Sequence, residues 1–272
     1  MKFKLIFVLF NGIVLLSFLF VFLIPVFFLG WEYSRTFWAT NWPLAALFLV
    51  IIGGLNTYFA VNWKMFGLLE AENWRGLIGH LEERIYTQRR FRKQHVQLLI
   101  NGYILVSEPS RILKLEEHFR EHRPDMIPLF ALPFGVPHLL MNDHEDLERY
   151  YGELKNDPRC TDRPWIEWSY AFSLLLQRRA DEARDVLMAV PSQTRNPLLK
   201  ALSFYLLDAM VPHEQNVKNA VLEGKKALRA RFSDAQWQKE IEKNRANLQV
   251  VVLQKLVNDA SLWIFDAGNQ AA

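Results

Sequence analysis

Residues 43–70 read PLAALFLVIIGGLNTYFAVNWKMFGLLE. The stretch begins as membrane-crossing sequence and ends as the first helix of a water-facing layer, with no Gly/Pro break at the junction. A continuous helix through Val61 to Gly67 is therefore expected. The membrane part and the soluble part would share one element.

Upstream, residues 5–31 and again 36–63 contain no charged side chain. A bilayer core takes about 20 apolar residues of helix, so each run can cross once, with spans at about residues 5–29 and 43–63. A cleaved signal peptide is a poor fit to the first run: its apolar core is too long, no small-x-small site follows, and a second span comes directly after. Lys2 and Lys4 precede the first span, and Lys64, Arg75, Arg84, Arg89, Arg90, Arg92 and Lys93 follow the second, whereas the connection carries only Arg35. The positive-inside rule then puts both termini in the cytoplasm of a bacterial-type inner membrane. The connection, residues 31–42, holds Trp31, Tyr33, Phe37, Trp38 and Trp42, aromatics suited to the far interface. A turn near residues 36 and 37 places Ser17 level with Asn56 and predicts a hydrogen bond between them. Gly53 and Gly54 are the small residues that would let the two spans approach closely.

Beyond the hairpin, acids and bases nearly balance, which argues against a nucleic-acid-binding surface. The single Cys160 rules out an internal disulfide and fits a reducing compartment. Apolar residues recur at spacings of three and four: Leu98, Leu99, Ile112, Leu113 and Leu115, then Leu147, Tyr150, Tyr151 and Leu154, then Phe172, Leu175 and Leu176. The expected class is all-α. Helix starts are signalled by Ser107 ahead of Pro109, by Asn142 with Glu145, and by Ser233 with Gln236 at capping-box spacing.

A period is visible as well. The segment Trp168 to Pro197, WSYAFSLLLQRRADEARDVLMAVPSQTRNP, has a small residue at Ala171, a turn, then Ala183, Leu187, Val190 and a closing proline. The same template slides back onto Gly135, Leu147, Tyr151 and Leu154, then Ile100, Ile112, Glu116 and Phe119, then Met65, Leu77, Leu81 and Arg84. The anchors Met65, Ile100, Gly135 and Ala171 lie 35, 35 and 36 residues apart. A looser pair follows around Leu207, Ala220 and Ala227, with a longer turn at Val211 to Gln215. This pattern resembles a degenerate tetratricopeptide repeat over about residues 62–230, strongest at 168–197. The resemblance implies an α-α superhelix at 64–232, continuous with the second span. Leu77, Ile112 and Leu147 replace the small residues of regular repeats, which implies wider packing. Pro128, Pro133 and Pro137 fall in one first helix and predict that it breaks or kinks. Residues 233–272 read as an amphipathic cap of one long helix or two, then a tail, with Trp237, Ile241, Leu248, Val251, Val252, Leu256 and Trp263 as its apolar stripe.

No catalytic constellation emerges. Glu82 and Glu83, Glu116 and Glu117, and Asp143 to Asp146 are acids on helices whose neighbours point in different directions. His118 and His122 could share a helical face, yet Phe119 stands where a His-Glu-x-x-His motif has Glu, and no third ligand is evident. No phosphate loop or Gly-x-Ser-x-Gly is present. Neither an enzyme activity, a metal nor a cofactor is expected.

Two surfaces remain. Arg84, Arg89, Arg90, Arg92 and Lys93 lie close to the bilayer and could contact anionic lipid. In tetratricopeptide arrays first helices line the concave groove, and that register implies Gln97, Asn101, Leu132, Val136, Trp165, Trp168 and Phe172 as partner-binding residues; alternatively the C-terminal helix folds back and fills the aromatic end. The expected protein is a non-catalytic, membrane-anchored scaffold or adaptor that recruits a protein partner at the cytoplasmic face. The alternative is an accessory subunit of a membrane transporter or enzyme complex in which the hairpin is the essential part.

Overall fold

The computed structural model describes residues 3–210, 214–245 and 247–265, with side chains from Leu5 onward. Lys2, the tail 266–272 and most of the turn expected at 211–215 lie outside the described residues. Among those described, the regular structure is entirely helical. The chain divides into two compact units, Met1–Gly102 and Tyr103–Ala272.

In the first unit, α1 (Phe3–Leu29) and α2 (Trp31–Glu70) are apolar helices of 27 and 40 residues, each long enough to span a bilayer. At 1.5 Å per residue they measure about 40 and 60 Å against a hydrocarbon core of about 30 Å. One residue separates them: Gly30, at φ 81 and ψ 170, a conformation open essentially to glycine alone. The Ser34 hydroxyl donates to the Gly30 carbonyl at 2.8 Å and closes the reversal. The expected connection over 31–42 is thus helix, because no breaker interrupts its aromatic-rich sequence before Pro43, which α2 absorbs.

α2 has no break between Asn62 and Leu69. It packs on α3 (Trp74–Glu82), whose start is capped by Asn73 accepting from the Gly76 amide. Leu77, Ile78 and Leu81 are buried there, and a π-helical turn over Glu83–Thr87 buries Arg84 and Ile85. α4 (Lys93–Leu105) contributes Val96, Leu99 and Ile100 to this core. It approaches α3 closely at Gly102, where a Cβ would come within 3.0 Å of Ile78. The compact division falls after Gly102, and α3 packs on α2 within the first unit.

The second unit opens with α5 (Ser110–His122), which starts after Ser107 has taken a left-handed turn at φ 59. Pro124–Phe130 is a 3-10 segment leading into α6 (Ala131–Leu140). The proline-rich first helix is thus split into two helical types, as missing amide donors require. α7 (His144–Leu154) is capped by Asp143, not Asn142: Asn142 adopts φ 61, and the Asp143 carboxylate accepts from the Asp146 amide. Then follow α8 (Arg163–Leu176), α9 (Ala180–Gln193), α10 (Pro197–Met210) and α11 (Gln215–Arg231), and from α6 to α11 each helix packs on the next. The template positions Met65, Ile100, Ile112, Leu147, Ala171 and Ala183 are buried, and Gly135 meets Tyr151 so closely that a Cβ would lie 2.1 Å from its hydroxyl.

The C-terminal segment forms three helices rather than one or two: α12 (Asp234–Asn244), α13 (Leu248–Val252) and α14 (Gln254–Phe265). The Ser233–Gln236 capping box is made on both sides. Trp237 of the expected stripe is buried, Val251 is exposed, and the rest of the buried face is Val250, Val257, Ala260 and Ile264. α14 packs on α10 and α11, with Trp237 donating to Ser261 at 3.0 Å and Trp263 donating to Asp208 at 2.7 Å.

Candidate functional site

The expected groove residues of the second unit are interior. Leu132, Val136, Trp165 and Trp168 are buried and Phe172 is half-buried, with Trp168 stacked on Phe172 at 5.1 Å and edge-on to Trp165 at 5.8 Å. The cover is the chain itself. α13 packs on α6, and the Gln249 amide donates to the Tyr151 hydroxyl at 2.6 Å while its carbonyl accepts from Ser169 at 3.4 Å. Burial pushes the Tyr151 phenol well above its ordinary range, so it stays a neutral partner. A residual cavity of about 10 Å³ remains among Val136, Trp168, Phe172 and Gln249, at the limit of what one water needs. The aromatic end is therefore core, as in the alternative in which the C-terminal segment folds back to fill it, because an exposed aromatic patch of this size is uncommon. In the first unit, Gln97 donates to Asn101 at 3.2 Å, and both are half-buried.

In the hairpin, Asn56 donates to Asn11 Oδ1 at 2.8 Å and to the Ile52 carbonyl at 3.0 Å. Ser17 is not its partner. The observed partner, Asn11, lies six residues, about 9 Å of helix, from Ser17, and Ser17 instead borders an apolar groove of about 480 Å³ with Phe18, Phe22, Trp38 and Phe48. Gly53 and Gly54 are exposed, and a Cβ at either would meet nothing within 4 Å. They do not form the α1–α2 contact, which aromatic rings make instead: Phe18 on Phe48 at 4.3 Å, Phe22 on Trp38 at 3.6 Å and Phe7 on Phe59 at 4.7 Å.

The basic run splits in two. Arg89, Arg90, Arg92 and Lys93 are exposed. Arg84 is 8% exposed and turns inward, donating to Asn62 Oδ1 at 3.2 Å and to the Val61 carbonyl at 3.0 Å, with His95 Nε2 at 3.5 Å. It ties the π-helical turn to α2 and is turned away from solvent, because the bulge rotates its side chain onto α2. Burial, then the Arg84 charge, lowers the pKa values of His80 and His95.

A second polar cluster had no signature in the sequence. His138 on α6 is buried between two carboxylates: its Nδ1 lies 2.7 Å from Asp146 on α7 and its Nε2 3.7 Å from Glu116 on α5. Glu116 also accepts from Arg120 at 2.7 Å, and Arg149 pairs with Asp146. Only the tertiary packing of three helices brings these residues together; the acids read singly as surface charges. Substrate access is poor, with Glu116 and His138 at 6% exposure each, so the cluster reads as a clamp. Cys160 is buried, and burial raises its thiol pKa, which disfavours the thiolate. On α5, His118, His122 and Glu121 offer ligand atoms all within 4.8 Å of one another.

Fold and site thus define a helical protein with two N-terminal helices fit to cross a membrane, followed by packed helix layers. A family model described as an uncharacterised Treponema protein matches residues 111–266, more than half of the chain, and the chain belongs to that family. An uncharacterized protein of Treponema pallidum (strain Nichols) is 28% identical over 281 residues, covering 97% of this chain and 88% of its own length. No solved structure matches.

Proposed function

We propose that this protein is a non-catalytic, membrane-anchored scaffold or adaptor. α1 and α2 cross a bacterial-type inner membrane with both termini in the cytoplasm, and tetratricopeptide-like helix layers recruit or brace a protein partner there. The observation that carries the reading is the junction: α2 runs unbroken from apolar span to Glu70, packs on α3, and is bonded to Arg84 through Asn62 and Val61. A helical layer built onto a membrane helix in this way suits a mount rather than a tether. Lys64, Arg75 and the exposed bases at 89, 90, 92 and 93 support the orientation, and the latter also suit an anionic leaflet. The aromatic end of the groove admits a partner peptide only by displacement of α13.

The accessory-subunit reading is favoured by one observation, the open Gly53–Gly54 face. A hairpin exchange separates the two. Residues 1–61 are replaced by an unrelated two-span hairpin, and partners are captured from detergent-solubilised membranes with intact and exchanged chains. A stoichiometric partner retained by the exchanged chain supports the scaffold; loss on exchange supports the hairpin-centred reading. Failure of the intact chain to recover any reproducible partner counts against both.

A further inference from the structure

The helix α5 carries three metal-ligating side chains on one turn, at positions i, i+3 and i+4: His118, Glu121 and His122. The sequence spacing of the histidines alone lacked a third ligand; the structure supplies it in the Glu121 carboxylate, which reaches the ligand atoms of both histidines within 4.8 Å. The two imidazole rings lie with centroids 4.3 Å apart. His122 Nδ1 sits 3.0 Å from the His118 carbonyl oxygen, which can only accept, so Nδ1 carries the proton. That fixes the tautomer and leaves Nε2 as the coordinating atom, the arrangement by which backbone carbonyls orient metal-bound histidines.

We infer that His118, Glu121 and His122 form a surface site for a late first-row divalent cation, with Zn²⁺ the best fit. Two imidazoles and one carboxylate, with a fourth position open to solvent, is a donor set that zinc takes at about 2.0–2.2 Å. Tetrahedral bonds of that length place ligand atoms about 3.4 Å apart, so the 4.8 Å cluster closes by rotation of the half-buried His118 and the exposed Glu121 and His122 side chains without backbone movement. Hard cations such as Mg²⁺ are excluded by the two nitrogen donors. Bound metal would pin the last turn of α5, where the backbone leaves the helix at Arg123 with φ −148, and would leave its open position for a donor from another molecule.

The test uses the full chain in detergent, stripped with chelator and titrated with ZnCl₂ against a chromophoric competitor. One Zn²⁺ per chain is expected. His118→Asn and His122→Asn should each weaken it at least about ten-fold, since even changes behind the ligands cost about 10–100-fold. Glu121→Gln should weaken it too, while Glu117→Gln, an exposed neighbour outside the cluster, should not. All these positions are half-buried or exposed, and unchanged metal-free melting of the variants verifies that they fold. Absence of binding, or an affinity unmoved by either histidine variant or by Glu121→Gln, overturns the assignment.

Discussion

Gly135→Ala tests whether α13 is locked into the second unit through Tyr151. The added methyl would sit 2.1 Å from the Tyr151 hydroxyl and 2.4 Å from Cζ, and Tyr151 is 2% exposed, so the ring has no free space to enter. Overpacking of this kind costs about 1–3 kcal/mol. Moving the ring also strands the Gln249 amide, which donates to that hydroxyl at 2.6 Å, and an orphaned buried donor costs about 1–3 kcal/mol. Alanine returns about 1 kcal/mol of helix propensity over glycine. The net is about 1–5 kcal/mol, with a centre near 3. At about 2–4 °C per kcal/mol for a unit of this size, melting should fall by about 6–12 °C. Thermal unfolding of the intact chain in detergent, followed by tryptophan fluorescence, reads the loss, and proteolysis between α12 and α13 should accelerate. Tyr151→Phe should recover part of the loss, since it removes the shorter contact and leaves the one at Cζ. A neutral or stabilising Gly135→Ala would refute the lock, because propensity alone would then account for the change.

A cysteine pair at 11 and 56 should cross-link in membranes while a pair at 17 and 56 should not. The register displaces Ser17 by about 9 Å along the helix, beyond the reach of a disulfide; cross-linking of the second pair alone would restore a turn near residue 36. Arg84→Met should lower the melting temperature while Arg89→Glu with Arg90→Glu should not, and only the double charge reversal should weaken retention on vesicles containing phosphatidylglycerol, by up to about 1 kcal/mol per base. Equal retention of both forms would remove the lipid contact. For His80 and His95 the folded pKa values lie below 6.5, first by burial and then by the Arg84 charge. The unfolded chain therefore binds more protons than the folded one once pH falls below 6.5, and stability present above that value is lost as pH drops through the folded pKa values. Urea unfolding at pH 7.5 and 5.5 should show the loss, and His95→Gln should flatten it; an unchanged slope in that variant would assign the pH dependence elsewhere.

The elements with strong local signals were legible. Two uncharged runs give two long helices, and Ser233 with Gln236 gives a capping box with both bonds made. Terminations were read less well, because they depend on single residues. Gly30 reverses the chain alone, where the aromatics of 31–42, suited to a membrane interface, had suggested a longer connection. That displacement propagated into the pairing of Asn56, since register in a hairpin is set by its turn. The buried face of each helix was legible where period and apolarity agree, as at Leu147 and Ala183. Arg84 and His138 were not, because a charged residue inside is recognised only from its partners, and these come from distant positions.

Arg84 also bears on how α2 meets the helices packed against its C-terminal end. A buried guanidinium with no carboxylate partner is costly unless its donors are met, and here Asn62 and the Val61 carbonyl of α2 meet two of them. Those acceptors are held in place because α2 continues past its apolar run: Val61 and Asn62 lie near the end of that run, and their geometry is fixed by the turns that follow to Glu70. Shortening α2 at residue 62 would leave Arg84 unpaired next to two histidines whose protonation it already opposes. The π-helical turn that aims Arg84 inward then has a physical reason, since a regular α-turn would rotate the side chain away from α2. The exposed bases at 89, 90, 92 and 93 remain outside this bond network and stay available to an anionic surface. A single basic run is in this way divided between holding the anchor and facing what lies around it.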